Sequence, residues 1–426
     1  MNSIVAGLDF GTSNSAIGFA TDRALQLHRF ERGGHSVPTA LFYDEDEAVL
    51  VCGHEAEARF LDGHEGRYLR ALKSILGTSL AEESTRMGRR AWPLRALLAH
   101  FLTDLKSSAE RSAGAEISRL VAGRPVRFVD EDDKKDAEAE ALLRDVLEKS
   151  GYSEVRFVYE PVAALIDAEA NMGDPKYVLV ADIGGGTSDF SVAHRSAGRS
   201  SHDIGGFEIL ANHGVHIGGT DLDRRLSLKA VMPMFGYGSE MRALTSDDIL
   251  PVPPRYYRDL ATWQKIHFCY TQALRREVRE VMGQALEPQK IAHLLMILER
   301  RLGHRLANAV ERVKIALSDN PTARLNLPDF DGLGAIDVSQ AALSQYFEPQ
   351  LERIGLSVGK TLELAGVPAE RIDHIVLTGG STLLPEIRRT ILDVVPNARL
   401  VPSDPFSAVA KGLTKAAQRA YLAAPC

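Results

Sequence analysis

Residues 182–191 read Asp-Ile-Gly-Gly-Gly-Thr-Ser-Asp-Phe-Ser, a stretch that combines anion donors with metal-type oxygens. Gly184, Gly185 and Gly186 lack Cβ, so their backbone can adopt turns in which successive N–H groups converge on an anion. Thr187 adds a hydroxyl donor. Asp182 and Asp189 supply carboxylate oxygens of the kind a divalent cation takes, often through water. A phosphate and its cation need both sets together. Taken alone, three glycines in a row also read as a plain hairpin turn. The preceding residues 177–181, Tyr-Val-Leu-Val-Ala, are apolar and β-branched and predict a buried strand ending at Asp182.

The same order of chemistry occurs near the N-terminus. Residues 4–8 form another apolar run, followed by Asp9, Phe10, Gly11, Thr12, Ser13 and Asn14. Alternation returns at residues 16–20, so each loop is predicted to join two strands, unlike the strand-to-helix turn of a P-loop. Two acid-glycine-hydroxyl hairpins predict a duplicated fold that grips one polyphosphate from two sides.

The chain resembles the actin, sugar-kinase and heat-shock ATPase superfamily, and within it the nucleotide-binding part of the seventy-kilodalton heat-shock chaperones. Residues 7–13 are similar to that family's first phosphate motif and 182–189 to its second. Residues 159–164, Tyr-Glu-Pro-Val-Ala-Ala, are similar to its connection between lobes, 216–223 to its glycine-glycine-x-aspartate segment, and 377–382 to its adenosine loop. The resemblance implies an α/β, two-lobed actin-like ATPase fold with duplicated ribonuclease-H-like subdomains and two smaller peripheral subdomains. It implies a first lobe core of residues 1–38 and 105–170 with a peripheral subdomain at 39–104. A second core at 171–217 and 306–400 then carries a peripheral subdomain at 218–305, and a C-terminal helix in 401–426 returns toward the first lobe.

The same resemblance assigns roles. ATP or ADP with Mg²⁺ would lie in a cleft between the lobes, with Asp9 and Asp182 holding the hydrated cation. Lys73, in a lysine-x-x-leucine-glycine setting, Glu160, Asp182, Thr187 and Asp189 would act in catalysis. The nucleotide would be bound by Gly11, Thr12, Ser13, Asn14, Gly184, Gly185, Gly186, Thr187, Gly218, Gly219, Glu311, Lys314, Ser318, Gly379, Gly380, Ser381 and Asp404. Four of these have simpler readings: Lys73 as a solvated helix lysine, Glu160 as an acid favoured by a helix N-terminus, and Glu311 with Lys314 as a surface ion pair. The family usually has arginines flanking the base where this chain has Ile315 and Leu383, which implies looser recognition of adenine.

The elements that must position these residues follow from periodicity. Residues 25–30 alternate like a third strand and 31–35 form a turn. Residues 93–113 predict an amphipathic helix with Leu94, Leu97, Leu98, Phe101, Leu102 and Leu105 on one face. The charged stretch 130–135 opens a helix that runs through Leu147 with a stop near Gly151. Helices are also expected at 162–170, 221–230, 270–282, 288–317, 336–362, 385–394 and 406–422. A strand is expected at 118–123, a strand pair at 203–215 and a further strand at 372–378. Residues 232–257, with Pro251, Pro253 and Pro254, read as irregular.

A length of 426 residues suffices for two sizeable cores. With 45% hydrophobic and 25% charged residues the chain has ordinary globular composition. A net charge of −7 argues against nucleic acid or an anionic membrane as the main partner. Cys52, Cys269 and Cys426 lack metal or disulfide spacing, and His213 and His216 have no ligand-spaced companion. No apolar run reaches membrane-spanning length and no secretory leader is visible, so a cytoplasmic location is expected. The reading these features favour is a Mg²⁺-dependent ATPase that is slow alone. It has no peptide-binding domain after residue 422 and works through an unidentified protein partner tied to nucleotide state. An actin-like filament protein and a small-molecule kinase are the alternatives.

Overall fold

Val5–Phe10 and Tyr177–Ile183 are buried along nearly their whole length, which is why both read as continuous apolar runs rather than alternating ones. Each is the central strand of a sheet. The computed structural model describes residues 4–30, 32, 34–129, 132–195, 206–327 and 334–422. Expectations for Glu31, Gly33, the start of the charged stretch at Asp130, the onset of a strand at Asp203, and Cys426 with the three residues before it lie outside the described residues. The chain divides into two compact units, one of residues 1–216, 356–382 and 392–426, the other of 217–355 and 383–391.

The first unit holds two sheets of one topology. In the first, Leu25–Leu27, Asn14–Ala20, Val5–Phe10, Arg119–Arg124 and Glu154–Tyr159 are neighbours in that order, with Val37–Pro38 paired to Asn14–Ala20 off this path. In the second the order is Phe207–Val215, Ser188–Arg195, Tyr177–Ile183, His374–Thr378 and Arg399–Leu400. In both, the first three strands in sequence pair antiparallel and the last two join the central strand in parallel. The duplication expected from the two loops is therefore present in the backbone, and the mixed α/β architecture is the expected one.

Helix Leu94–Ala113 buries Leu97, Leu98, Phe101, Leu102 and Leu105 with Leu143 and Leu147 of Asp133–Lys149, together with Leu8, Ile17 and Leu120 of the first sheet. Two further helices, Glu160–Met172 and Ala408–Tyr421, share one cluster with both sheets. It includes Val5 and Val121 from the first sheet and Val178, Val180 and Val376 from the second. A Cβ on Gly412 would overlap the carbonyl of Ala163, so these two helices approach as closely as only glycine permits. The same unit carries a three-stranded sheet of Val49–Cys52, Ala40–Asp44 and Gly66–Arg70 with helix Gly53–Asp62, and a hairpin of Ser84–Met87 with Arg90–Pro93. Among the described residues no helix is long and apolar enough to cross a membrane.

In the second unit, Gln272–Gln284 packs on Pro288–Arg300, and Gly219–Leu226 on Gly303–Ala316. Residues 288–317 form two helices rather than one. Arg301 takes a left-handed φ of 54° and ends the first, and Gly303, where the second begins, is a weak local signal of the break. Ile336–Ser339 is a strand paired antiparallel with Thr322–Leu325, and the helix begins only at Gln340. Its alternation of period two is too short to be separated from helix without its partner. Residues 232–257 are more regular than expected: a 3₁₀ turn Met232–Phe235, a hairpin of Glu240–Arg242 with Ile249–Pro251, and helix Arg255–Leu260. In the first unit, the strand at residue 25 ends at Leu27. The expected pair at 203–215 is, among the described residues, one strand, Phe207–Val215, whose partner is Ser188–Arg195.

Asp44 shows how completely the three-stranded sheet settles a buried charge. Its Oδ1 accepts the N–H groups of Asp46 and Glu47, both at 3.1 Å, and Oδ2 accepts Arg59 Nη1 at 2.9 Å and His64 Nδ1 at 3.0 Å. These bonds, led by that from Glu47, hold its pKa at about 2 against an ordinary 3.8. Between those values the unfolded chain binds the proton and the folded one does not, so the contribution is complete above pH ~4 and fades toward pH ~2. We expect Asp44→Asn to lower stability at neutral pH and to flatten the pH dependence of unfolding between 4 and 2. An acid-unfolding profile parallel to that of the wild type would contradict this account.

Candidate functional site

The next-to-last residue of each central strand is an acid, Asp9 in Val5–Phe10 and Asp182 in Tyr177–Ile183. Each strand then turns back through its loop into an antiparallel partner, as the alternation after the loops predicts. In the second loop the Gly184 N–H donates to Thr187 O at 3.0 Å and closes the turn. The first loop is held from behind: Thr39 Oγ1 donates to Gly11 O at 2.8 Å, and the Thr39 N–H donates to Ser13 O at 2.9 Å. The two loops meet. A Cβ on Gly185 would overlap the Ser13 hydroxyl, while Thr12, Asn14, Gly186 and Thr187 stay exposed at the tips.

Lys73 and Glu160, 87 positions apart, come together at 2.6 Å between Nζ and Oε1. Lys73 sits in a single 3₁₀ turn, Leu72–Ile75, whose ends are anchored by buried Leu72 and Ile75; it is not a lysine on a solvated helix. Glu160 is the first residue of Glu160–Met172, directly after an edge strand of the first sheet. Both side chains are mostly buried, at 12% and 14% exposure. Asp9 and Asp182 are part-buried. Burial and then the Glu160 carboxylate push Asp9 up to about 8, with Lys73 opposing and Asp182 reinforcing. Burial, Glu160 and Asp189 push Asp182 up to about 7, with Thr378 and Lys73 opposing. Burial acts to lower the Lys73 pKa, but Glu160, Asp9 and Asp182 outweigh it and leave the ammonium above its ordinary value. These four groups form one electrostatic unit with an excess of negative charge.

Other expected residues converge on the same place. Asp189 lies opposite Asp182 in the ladder, and Thr378 is beside it on the parallel strand. Gly379 has φ of 78°, and a Cβ there would overlap the Ile183 carbonyl and approach Asp182 Oδ1 at 2.8 Å, so glycine is required. The Ser381 hydroxyl donates to Gly184 O at 3.3 Å. Asp404 makes a turn before the closing helix, its carboxylate accepting from the Phe406 N–H at 3.1 Å and from the Ser407 hydroxyl. The residue that this turn sets against Gly380 is Phe406, which sequence alone does not single out: nothing in residues 400–408 ties a Pro-Phe pair to a glycine 26 positions earlier.

In the second unit, Gly218 and Gly219 open helix Gly219–Leu226, and the Gly218 N–H donates to Asp221 Oδ2 at 3.1 Å. Lys314 is buried and donates to Gly219 O at 3.1 Å and to Asp223 Oδ2 at 2.9 Å. Its ion-pair partner is thus Asp223, so the simpler reading of Lys314 as half of a surface pair with Glu311 does not hold. Glu311 lies one turn earlier on Gly303–Ala316, and Ser318 follows the helix end. Ile315 is 54% exposed, a large apolar side chain open to solvent. His213 is engaged by Ser357 at 2.8 Å. Among the described residues no group of three or more histidine, cysteine or acidic side chains forms a metal cage.

A family model described as Hsp70 protein matches residues 84–235 and 288–422, well over half of the chain. The chain is 25% identical over 420 residues to a "Chaperone protein DnaK" of Methanothermobacter thermautotrophicus, covering 96% of this chain and 58% of that protein. It is 24% identical over 429 residues to a "Chaperone protein HscA" of Proteus mirabilis, covering 96% and 57%. To a "Chaperone protein DnaK" of Endomicrobium trichonymphae it is 26% identical over 420 residues, covering 96% and 56%. The chain therefore spans less than two thirds of the length of these relatives.

The Lys73–Glu160 pair can be tested apart from any activity. Lys73→Met leaves three carboxylates crowded together and should cost about 2 kcal/mol or more of stability. Adding Glu160→Gln removes the uncompensated charge and should restore part of that loss. Strictly additive losses in the double variant, read by denaturant unfolding, would show that the two groups do not interact.

Proposed function

The chain belongs to the Hsp70 family, and on that premise we propose that it is a Mg²⁺-dependent, chaperone-type ATPase acting where its two acid-glycine-hydroxyl loops meet. The observation that carries this reading is the convergence of Ser13 and Gly185, one from each loop, beside Asp9, Asp182, Lys73 and Glu160. Cleaving a phosphoanhydride needs charge neutralisation and a positioned water more than a strong nucleophile.

The donor set fits a hydrated Mg²⁺. Two carboxylates are driven above their ordinary pKa by burial and by the Glu160 carboxylate, which is the environment a hard dication relieves. Asp9 and Asp182 would hold that ion, whose contribution is to neutralise phosphate charge. Backbone N–H groups of residues 11–13 and 185–187, with the Thr12, Ser13 and Thr187 hydroxyls, would hold the phosphates, and Gly184 would shape the loop through its bond to Thr187 O. Lys73, kept charged and oriented by Glu160, would face the transferring phosphoryl group, and Asp189 and Glu160 would accept hydrogen bonds from the attacking water. Gly379, Gly380 and Ser381 would take the adenosine portion, and Asp404 would shape the turn beside it. A protein partner coupled to the nucleotide state belongs to the proposal, because such sites turn over slowly until closure completes them. Affinity capture compared between ATP and ADP tests that element, and equal capture in both would remove it.

Three outcomes are expected. Asp9→Asn and Asp182→Asn each lower Mg²⁺-dependent single-turnover hydrolysis by about a hundredfold or more; unchanged rates in both would remove the site assignment. Lys73→Ala slows turnover while nucleotide affinity stays within about tenfold. A collapse of affinity with turnover intact would make it a binding residue only. Finally, ATP is preferred over GTP by less than about tenfold, since Ile315 and Leu383 offer aliphatic surface without a planar, charged donor. A strong preference for ATP in competition binding would show that other groups read the base.

A further inference from the structure

Phe406 is a large apolar side chain left 53% exposed, yet its place is closely determined. Its ring packs against the α-carbon of Gly380: a Cβ there would come within 2.6 Å of ring carbon Cε1 and 2.9 Å of Cζ. The missing side chain at 380 is what makes room for the ring. The backbone around it is held at three points. Asp404 accepts from the Phe406 N–H at 3.1 Å and from the Ser407 hydroxyl, and Pro405 O accepts the Gly379 N–H at 3.0 Å. Ser407 then starts the closing helix, Ala408–Tyr421, so the ring cannot follow the chain into the core. Fixing an aromatic ring in water forfeits side-chain entropy and gains little burial in the free protein. The arrangement becomes favourable when a flat, apolar surface covers the open part of the ring.

The turn against which the ring packs, Gly379 to Ser381, is bonded to the second phosphate loop through the Ser381 hydroxyl and Gly184 O. A ligand whose phosphates occupy that loop therefore has its neighbouring portion close to Phe406. We propose that Phe406 is the base-stacking residue of this chain: its ring covers the purine of the bound nucleotide and sets the affinity for the nucleoside moiety. This rests on the nucleotide reading given above and deepens it. A phenyl ring has no hydrogen-bonding group, and every purine has a π-face, so the contact strengthens binding without separating adenine from guanine.

The test compares wild type, Phe406→Ala and Phe406→Trp for binding of Mg²⁺ complexes of ATP, GTP and inorganic tripolyphosphate by competition calorimetry. Phe406→Ala should weaken ATP and GTP alike by about tenfold or more and leave tripolyphosphate unchanged. Phe406→Trp should keep both nucleotides at wild-type affinity or tighter. Unchanged ATP affinity in Phe406→Ala, or an equal loss for ATP and tripolyphosphate, overturns the stacking role while the nucleotide site stands. A wild-type chain that binds none of the three overturns the nucleotide reading and this inference together.

Discussion

Three carboxylates gathered round one ammonium, in surroundings stripped of most water, set the terms for the first unit. Attraction between opposite charges is strong there, and so is the cost of dehydrating them. Lys73 and Glu160 settle one pair at 2.6 Å. Asp9 and Asp182 remain opposed by burial and by the Glu160 carboxylate, which is why both sit well above the ordinary carboxylate range. Such a grouping persists only if the backbone over-determines it. Here each acid is held at the end of a central strand with ladder partners on both sides.

Bringing two strand ends from different sheets into one place is a packing problem, and the two helices in the shared cluster solve it. Glu160–Met172 and Ala408–Tyr421 contribute several alanines, among them Ala163, Ala164, Ala416 and Ala417, and Gly412 lets the helix backbones touch. Small side chains allow a close and rigid approach, so the separation of the sheets is set by backbone rather than by adjustable side chains. Glu160 heads one of these helices. The catalytic candidate and the spacer between the sheets are thus parts of one element.

The two units rely on the same chemistry in different amounts. In the first, Thr12, Asn14, Gly186 and Thr187 stay exposed at the loop tips. In the second, Lys314 is buried and tied to Gly219 and Asp223, so the glycine pair is braced by a charge from a helix almost a hundred residues later. Glycine flexibility near a ligand is useful only when neighbours fix it, and both glycine-rich segments have such neighbours.

Much was legible in the linear chain because it depends on near neighbours. Apolar runs followed by acid, glycine and hydroxyl specified two strand-loop-strand units, and periodicity placed the helix at 94–113 with its buried face. Lys73 and Glu160 were found through short motifs, not through any visible relation between them. What the sequence could not state is decided by contacts between distant residues. The pairing of Lys73 with Glu160, of Lys314 with Asp223, and of Ile336–Ser339 with a strand at 322–325 are of this kind. The break at Arg301 and the outward ring of Phe406 carry weak local signals and are fixed by what packs against them. Composition and period are properties of a segment, whereas register, charge partnership and the exposure of a ring belong to pairs of segments, and only folding makes those pairs.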